Sequence, residues 1–252
     1  MDKVPVKPPA KLADIRVVLL ATSHPGNIGA AARAAKVMGV SEFWLVAPKR
    51  FPSPEADAMA SGALDVLARA KVVNSLAEAV TDCQWVVGTS ARRRWFNDIP
   101  LSPRGFAEQA CAMREGEHVA LVFGRERIGL TNEEVDLCHA LVEIPANPEY
   151  SSLNVANAVQ VLCYELRVAA LAGVAGEDKR HYPTAEEIEN FYEHLQKVLL
   201  KTGFLDPGNP RHLMRRLRQL YGRIRMDENE LSILRGILTS VETPKKRRPP
   251  KR

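Results

Sequence analysis

The stretch IRVVLLATSHPGNIGAAARAAKVMG, residues 15–39, decides the fold class of the chain. It opens with an apolar run at 15–21, turns at Gly26 and Gly29, and continues as an alanine-rich segment over about 27–38. An unbroken apolar run is typical of a strand that is buried on both faces, and alanine is the best helix former. The stretch therefore predicts a parallel strand that leads through a tight turn into a helix.

The same alternation of apolar runs and helical patterns continues to about residue 172. Further strands are predicted at 42–47, 71–73, 85–89, 118–124 and 140–144. Further helices are predicted at about 55–68, 75–81, 103–114, 131–138 and 152–171. This alternation is typical of a parallel sheet with helices on both faces, so the predicted fold class is α/β.

A different composition begins in the segment 173–183, which is rich in Gly, Pro and charge. Beyond it, helices are predicted at 184–202 and 227–241, because Thr184 and Asp227 are each followed three residues later by a glutamate, as in a capping box. A small all-helical C-terminal extension therefore follows the α/β domain. The predicted division is a flexible tail at 1–14, an α/β domain at 15–172, a linker at 173–183, a helical extension at 184–242 and a disordered basic tail at 243–252.

Positive charge is concentrated at the C-terminal end of the chain. The 252 residues carry a formal charge of +5, and residues 181–252 alone carry +6. A near-neutral α/β body with a basic extension predicts a polyanionic partner. Nucleic acid is favoured over a membrane, because no amphipathic face rich in Trp or Phe accompanies the charge. A surface that only improves solubility is the alternative.

Composition and motifs disfavour several other classes. A hydrophobic content of 46% and a charged content of 26% are those of an ordinary globular protein. No apolar segment approaches the roughly 18 residues of a membrane span, and MDKVPVKPPAKL at 1–12 lacks the apolar region of a signal peptide. A soluble, cytoplasmic protein without a membrane partner is therefore expected. No metal site or P-loop is predicted, because the six histidines and Cys83, Cys111, Cys138 and Cys163 lack metal-ligand spacing and no GxxxxGK[ST] is present.

The turn after the first strand is polar but lacks the fingerprint of dinucleotide binding. Its glycines are spaced GxxG, and the second strand ends WLVAPKR without an acidic residue that could hold a ribose. This disfavours Rossmann dehydrogenases and Rossmann-type methyltransferases. His24, Asn27 and Arg33 are the candidates for substrate contact, and on a helix Asn27 and Arg33 lie about 9 Å apart along the axis. The alternative is that Asn27 only caps the helix and Arg33 is an ordinary surface charge.

Two later segments follow the ends of predicted strands, where α/β proteins place ligands. They are LVFGRERIGLTNEE at 121–134 and NPEYSSLNVANAVQVLCYE at 147–165. Together with TSHPGNIGAAARAAKVMG at 22–39, and in this order, they resemble the SPOUT methyltransferases, which bind S-adenosylmethionine. Within that class the chain is most similar to the TrmH-like branch and its tRNA ribose 2′-O-methyltransferases. The likeness covers about 15–172 and extends to 191–204 and 234–240 in the helical extension.

The resemblance implies a trefoil knot in the C-terminal part of the α/β domain and a cofactor site built from three loops. Backbone groups in these loops would hold S-adenosylmethionine and replace the missing acidic residue. The cofactor-binding residues that it implies are Thr89, Ser90, Ala91, Gly124, Ile144, Ser151, Ser152 and Leu153.

The resemblance also implies catalytic residues and partners. Arg33 matches the catalytic arginine of the family, and the other matching polar positions are Asn27, Glu126, Ser152 and Asn154. The implied substrate is tRNA, with the pyrimidine at position 32 of the anticodon loop as the target. A homodimer through the knot region is implied as well, with Arg33 near the partner's cofactor. RNA contacts are expected from His24, Arg33, Arg211, Arg215, Arg216 and Arg218.

Two other functions remain as alternatives. One is a ribosomal RNA 2′-O-methyltransferase of the same fold, which the C-terminal position of the extension disfavours because many such enzymes carry an extra N-terminal RNA domain. The other is a catalytically silent RNA-binding protein, which the complete set of five polar positions disfavours. The sequence leaves open which tRNA species are modified, whether both pyrimidines are accepted, what the basic tail does and whether Arg33 is a base or a stabiliser of negative charge.

Overall fold

The structure of the protein is a computed structural model that describes residues 10–90, 100–173, 180–208 and 212–243. The chain divides into two compact units, Met1–Lys179 and Arg180–Arg252. The first unit contains the α/β fold and the second is helical. The division falls inside the predicted linker, 173–183.

A parallel six-stranded sheet forms the centre of the first unit. Its strands are β1 Ile15–Leu20, β2 Glu42–Val46, β3 Lys71–Val73, β4 Cys83–Thr89, β5 His118–Phe123 and β6 Ala140–Val142. They are arranged in the order β3-β2-β1-β5-β4-β6. The predicted parallel sheet is confirmed, although β4 begins and β6 ends two residues earlier than the apolar runs indicate.

β1 lies inside the sheet and is buried along its whole length. Ile15, Val17 and Leu19 belong to the large core on one face, whereas Val18 and Leu20 are buried against the other face. Successive side chains of a strand point to opposite faces, so a strand covered on both sides needs an unbroken apolar sequence. That requirement explains the run IRVVLL.

Helices cover both faces of the sheet. Those of this unit are α1 Pro25–Met38, α2 Pro54–Ala60, α3 Leu64–Arg69, α4 Leu76–Val80, α5 Pro103–Ala112, α6 Asn132–Asp136 and α7 Val155–Ala172. Buried residues of α1, α5 and α7 join the large core on one face. On the opposite face, the Arg16 side chain reaches the Ala79 carbonyl of α4, and a Cβ on Gly88 would meet Leu130 and Cys138, which flank α6.

Two predicted boundaries are corrected by the structure. The predicted helix 55–68 is interrupted, because Ser61 adopts a φ of 50° and a 3-10 turn over Ser61–Ala63 separates α2 from α3. The predicted flexible tail 1–14 is ordered over Ala10–Asp14, which forms a 3-10 helix. Leu12 is apolar and completely buried in the large core. Its burial explains why this part of the tail is fixed. Residues 1–9 lie outside the described residues.

The second unit consists of α8 Ala185–Lys201, α9 Leu213–Gly222 and α10 Glu228–Glu242. Both predicted capping boxes are confirmed, at Thr184 for α8 and at Asp227 for α10. The unit has its own core, which includes Phe191, Leu195, Met226, Leu231 and Leu238. Tyr182, inside the predicted linker, is buried, and the Arg225 guanidinium lies 3.8 Å from its ring centroid. The last residues of the predicted linker are therefore part of this helical unit.

Near the amino ends of the strands, the Arg16 side chain is buried, and each of its three guanidinium nitrogens donates a hydrogen bond. It donates to both oxygens of Asp82 at 2.7 and 2.9 Å, to the Ala79 carbonyl at 2.7 Å and, from Nε, to Glu42 at 3.1 Å, and its Nη2 also forms an ion pair of 2.9 Å with Glu42. Its guanidinium also lies 4.3 Å from the Trp44 ring centroid. The hydrogen bond from Arg16 holds the pKa of the Asp82 carboxyl below its usual value.

Candidate active site

The candidate site lies at the carboxyl edge of the sheet, where the loops after β1, β5 and β6 meet. β1 and β5 are paired side by side, so their following loops start next to each other. The loop after β6 reaches the same place through Asn154, at the start of α7. This is the edge at which parallel α/β sheets place their ligands.

Glu126, in the loop after β5, holds the turn that follows β1. Its carboxylate accepts hydrogen bonds from the Ser23 backbone N–H at 3.1 Å, the Ser23 hydroxyl at 3.1 Å, the His24 N–H at 3.4 Å and Asn27 Nδ2 at 3.1 Å. One carboxylate therefore satisfies backbone and side-chain donors of the whole turn. This arrangement fixes the entry into α1, the helix that carries Arg33.

The hydrogen bonds to Glu126 keep its carboxyl group ionised. Burial acts to raise the pKa of this carboxyl, but hydrogen bonds from its own backbone N–H, from Asn27, from His24 and from Ser23 outweigh burial and hold the pKa below its ordinary value. A carboxylate whose oxygens are occupied by these donors is suited to anchoring the turn. It is poorly suited to accepting a proton from a substrate.

Asn154 connects the third motif to the first. Its Nδ2 donates to Asn27 Oδ1 at 2.9 Å, and its Oδ1 accepts from the Ala156 N–H at 2.9 Å, which caps α7. Asn27 is therefore hydrogen bonded on both sides, to Glu126 and to Asn154. The N-cap of α1 is His24 rather than Asn27, so the simple capping alternative for Asn27 is wrong.

Arg33 lies two turns into α1 and is exposed. Within the residues that the structure describes, its side chain makes no hydrogen bond or ion pair. The helix beneath it is closely packed, since a Cβ on Gly29 would lie 1.9 Å from the Ala56 carbonyl oxygen of α2. A rigid helix thus presents a guanidinium whose donors are available to a ligand.

The loop after β5 is tight and has two exposed side chains at its tip. Arg125 and Gly129 exchange backbone hydrogen bonds of 3.2 and 2.9 Å, and Gly129 adopts a φ of 68°, which favours glycine. A Cβ on Gly124 would lie 2.2 Å from the Gly129 carbonyl carbon, so only glycine fits there. Arg127 and Ile128, between these fixed ends, are exposed.

The residues predicted to bind the cofactor end three adjacent strands of the sheet. Gly124 follows β5, Thr89 ends β4 and Ile144 lies just beyond β6, in the strand order β5-β4-β6. Ser90 continues the pairing by donating its N–H to the Val142 carbonyl at 3.1 Å. In the loop before α7, Ser151 is half-buried, while Ser152 and Leu153 are exposed. Ala91 lies outside the described residues.

The arginines predicted to bind the tRNA body differ in their surroundings. Arg218 is committed to the Glu189 carboxylate through two hydrogen bonds, and its guanidinium lies 4.3 Å from the Tyr192 ring centroid. Arg216 is exposed, and no described residue pairs with it. Arg215 lies half-buried on the same helix, and Arg211 lies outside the described residues. Of the three that the structure describes, Arg216 is the most accessible to a phosphate.

The cysteines are suited to packing rather than to nucleophilic chemistry. Burial raises the pKa of Cys83 and Cys163 to about 12 and that of Cys111 to about 11, so these thiols are protonated at neutral pH. Cys138 is partly buried. In the described part of the chain, no group of three His, Cys, Asp or Glu side chains is placed to hold a metal ion.

Ser23 is the site residue that the sequence analysis did not single out. Its backbone N–H and hydroxyl both donate to Glu126, which makes it part of the anchored turn. The available signal was its position at the end of β1, directly before His24. That signal is weak, because a serine after a strand is common in turns of every kind.

Two protein families match the chain in separate regions. The SpoU rRNA Methylase family matches residues 14–164, and the family "tRNA methyltransferase TrmJ, C-terminal domain" matches residues 186–251. The two matches coincide with the α/β unit and the helical unit.

Individual relatives agree with these matches. The chain is 48% identical over 244 residues to the tRNA (cytidine/uridine-2′-O-)-methyltransferase TrmJ of Cronobacter sakazakii, covering 94% of this chain and 100% of that protein. The crystal structure of TrmJ from Z. mobilis ZM4 is 34% identical with a TM-score of 0.80, covering 92% of this chain and 100% of that one. An AdoMet-bound rRNA methyltransferase from Sinorhizobium meliloti is 25% identical with a TM-score of 0.50, covering 62% of this chain and 56% of that one.

Proposed function

The chain belongs to the SpoU rRNA Methylase family, and on that premise we propose that it methylates a ribose 2′-hydroxyl of tRNA with S-adenosylmethionine as the methyl donor. The proposed target is a pyrimidine, cytidine or uridine, at position 32 of the anticodon loop. The observation that carries the proposal is the hydrogen-bonded series Glu126–Asn27–Asn154, which joins three separate motifs at the start of the helix that carries Arg33. If the series served only to pack the loops together, the protein would not need an exposed Arg33 on this helix. No described residue pairs with that arginine.

The path of the chain around β6 supports a trefoil knot in the α/β unit. On one edge, β6 pairs with β4. On the other edge, the Leu101 N–H donates to the Leu141 carbonyl at 2.8 Å, and the Glu143 N–H donates to the Leu101 carbonyl at 3.0 Å. β6 therefore lies between β4 and Leu101, two parts of the chain that both precede it. A strand that runs through a loop of its own chain is the element that a knot requires.

The loops at this edge suit the proposed cofactor. Ile144 is partly buried against the core and Leu153 is 42% exposed, which gives apolar surface for an adenine ring at the ends of β4 and β6. Gly124 lets the backbone of the loop after β5 fold closely over it, which keeps this loop compact beside the proposed cofactor. We propose that these residues hold it together with Thr89, Ser90, Ala91, Ser151 and Ser152. When bound, S-adenosylmethionine supplies a methyl group that its sulfonium already activates.

Arg33 is proposed to act on the ribose as a cation. A guanidinium keeps its proton at neutral pH, so it is a poor base there. Its planar fork can bind a phosphate with two hydrogen bonds and can stabilise negative charge that develops on the 2′-oxygen. Ser152 and Asn154 are proposed to orient the nucleotide, while Glu126 and Asn27 hold the loops in position.

The helical unit supports tRNA as the substrate. It matches a domain named for a tRNA methyltransferase, and residues 181–252 carry a charge of +6. Arg216 and the other basic residues of this region would bind phosphates of the tRNA body, and the enzyme would act in the cytoplasm, where tRNA is used. The family that matches residues 14–164 is named for rRNA methylases. Ribosomal RNA is therefore the second candidate substrate.

We also propose that the enzyme is a homodimer through the knot region, with α7 at the interface. This helix is long and apolar enough to cross a membrane, but Val155, Val159, Leu162 and Leu166 are buried in the core, as in a packed helix of a globular protein. Tyr164 and Leu171 remain 52% and 59% exposed. A second copy would cover this apolar surface and bring Arg33 near the partner's cofactor.

The deciding experiment is transfer of labelled methyl from S-adenosylmethionine to total tRNA and, separately, to ribosomal RNA. Mass spectrometry of the product would then map the modified ribose. Label in tRNA at position 32 supports the proposal, label at another tRNA position corrects the target, and label only in ribosomal RNA overturns the substrate. A chain lacking residues 181–252 should lose tRNA binding far more than S-adenosylmethionine binding, and equal loss of both would refute the proposed role of the helical unit.

A further inference from the structure

Three basic side chains follow three neighbouring strands at the carboxyl edge of the sheet. Lys49 follows β2, His24 follows β1 and Arg127 lies in the loop after β5. Since the strand order places β1 between β2 and β5, Lys49 and Arg127 flank His24 from opposite sides. We call Lys49, His24 and Arg127 the basic rim.

The backbone beneath the basic rim is fixed at each position. The Lys49 N–H donates to the Thr22 carbonyl at 3.2 Å, which ties the loop after β2 to the turn after β1. The His24 N–H donates to Glu126 at 3.4 Å, and the Arg127 loop is closed by the bond from the Gly129 N–H to the Arg125 carbonyl at 2.9 Å. The three side chains therefore extend from backbone segments that hydrogen bonds hold in place, in the order Lys49, His24, Arg127.

The side chains of the basic rim are available to a ligand. All three side chains are exposed, and none of them pairs with a residue that the structure describes. Neighbouring cations behave differently, since Arg125 binds Glu134 at 2.8 Å and Arg50 lies 3.8 Å from Glu55. The nearby carboxylates are thereby engaged as well, because Glu126 holds the turn and Glu55 faces Arg50.

We propose that the basic rim binds the phosphates of the RNA strand that flanks the target nucleotide. This inference rests on the proposed function and adds Lys49 and Arg127 to the residues that contact RNA. Adjacent strands lie about 4.8 Å apart, so the backbone supports of Lys49 and Arg127 are separated by roughly 10 Å. Two cations at that separation, with a histidine between them, suit several phosphates of one strand, whereas a single small anion would reach only one or two of these side chains.

The row also has the right position for this task. It crosses the ends of β2, β1 and β5, and the turn at its centre leads directly into α1, which carries Arg33. A strand lying on the basic rim would therefore pass the start of that helix. Because phosphates are the same in every nucleotide, the basic rim contributes affinity and register but no base preference.

The test compares Lys49→Ala, Arg127→Ala and the double variant with Arg69→Ala as the matched control. Arg69 is exposed and paired with Asp65 at the end of α3, directly before β3 begins, and so lies at the opposite edge of the sheet. The measurements are tRNA binding as a function of salt, KM and kcat with tRNA, and calorimetric binding of S-adenosylmethionine. A thermal melt of each variant checks folding.

The double variant should raise the KM for tRNA about tenfold and reduce the salt slope of binding by about 1.4, since each phosphate contact on a single strand contributes about 0.7. S-adenosylmethionine binding and the kcat at saturating tRNA should stay within about twofold, and Arg69→Ala should match the unmodified chain. An unchanged KM and salt slope in the double variant would overturn the proposal that the basic rim binds RNA. If the unmodified chain methylates no tRNA, the proposed function fails instead, and the salt slope of tRNA binding still decides whether the basic rim binds RNA.

Discussion

The two edges of the sheet use arginine in opposite ways. At the amino edge, Arg16 is 1% exposed and donates to Asp82, Glu42 and the Ala79 carbonyl. On α1, the helix that begins at the carboxyl edge, Arg33 is exposed and pairs with nothing in the described part of the chain. The same side chain is thus a structural element at one edge and an available ligand-binding group at the other.

This difference shows that an arginine that stabilises the fold has carboxylate partners, whereas an arginine that is available for function has none. A buried guanidinium must be paired, because an uncompensated charge in the interior costs several kcal/mol. An exposed guanidinium gains little from a surface ion pair, so leaving it unpaired sacrifices almost no stability. Substitutions at the amino edge should therefore change unfolding, whereas substitutions at the carboxyl edge should change methyl transfer.

The largest effect is expected for Arg33→Ala. It should lower kcat by about 10²- to 10³-fold, the usual cost of removing one group that stabilises developing negative charge. The free energy of unfolding should change by less than about 0.5 kcal/mol, as for other exposed positions. Methyl-transfer kinetics and urea denaturation measure the two quantities. Arg33→Lys serves as the second variant, and recovery of most of the rate by lysine would show that the planar fork is not required.

At the amino edge, Arg16→Met should lower the free energy of unfolding by about 3 kcal/mol. Breaking a buried ion pair costs about 3–5 kcal/mol, and the lower end applies because the Asp82 side chain is 56% exposed. The kcat of the folded fraction should be unchanged. Urea denaturation of Arg16→Met, with Arg69→Ala as an exposed and paired control, gives the comparison. A loss below about 1 kcal/mol would contradict the contrast between the two edges.

Glu126→Gln should show both kinds of effect, because Glu126 stabilises the turn that leads into α1. A neutral amide cannot replace a carboxylate that accepts from Ser23, His24 and Asn27, so we expect a loss of about 2 kcal/mol in unfolding free energy and a lower kcat. The measurements are denaturation and kcat at a temperature where the variant is fully folded. Unchanged stability would mean that Glu126 does not anchor the turn.

Asn154→Ala should destabilise the protein by about 1 kcal/mol, the usual cost of losing an N-cap. It removes both the cap on the Ala156 N–H and the hydrogen bond to Asn27. Asn154→Asp keeps the capping oxygen but not the donor to Asn27, so it should preserve stability better than activity. Equal unfolding free energies for the alanine variant and the unmodified chain would exclude the capping role.

The smallest expected effect is a loss of stability in acid. The folded pKa values of Glu126 and Asp82 are lowered, so their contribution is present above the unfolded carboxyl pKa of about 4 and is lost as the pH falls through the lowered values. On reaching its unfolded pKa each group should lose less than RT ln 2, or about 0.4 kcal/mol, and solvent screening reduces the loss further at Asp82, whose side chain is 56% exposed. Thermal melts from pH 7 to pH 4 would test this, and Glu126→Gln and Asp82→Asn should each be less sensitive.

Most of the fold could be predicted from local patterns. The unbroken run of β1 and the capping boxes at Thr184 and Asp227 are written in consecutive residues, and the structure confirms them. The break between α2 and α3 was missed, because the helical periodicity continues through Ser61 although its backbone does not. The ordered part of the N-terminal segment was missed because a single buried leucine, Leu12, fixes it.

The candidate site was predictable in its residues but not in its connections. The motif that contains Glu126 is visible in the sequence, yet its bonds to Ser23 and Asn27 span about a hundred residues, and no spacing rule reports contacts at that separation. Likewise, Arg216 and Arg218 lie two residues apart in one basic segment, and only the structure shows that Glu189 engages Arg218.

By itself, the sequence determined the strands, the helices, their caps and the charge of the C-terminal region, because these depend on residues that are near one another along the chain. Tertiary structure alone decided that β1 lies between β2 and β5, that Glu126, Asn27 and Asn154 form one series, and which arginines remain unpaired. The physical reason is that hydrogen bonds and ion pairs act over a few ångströms in space. Chain distance does not limit them once strand order has placed the loops side by side.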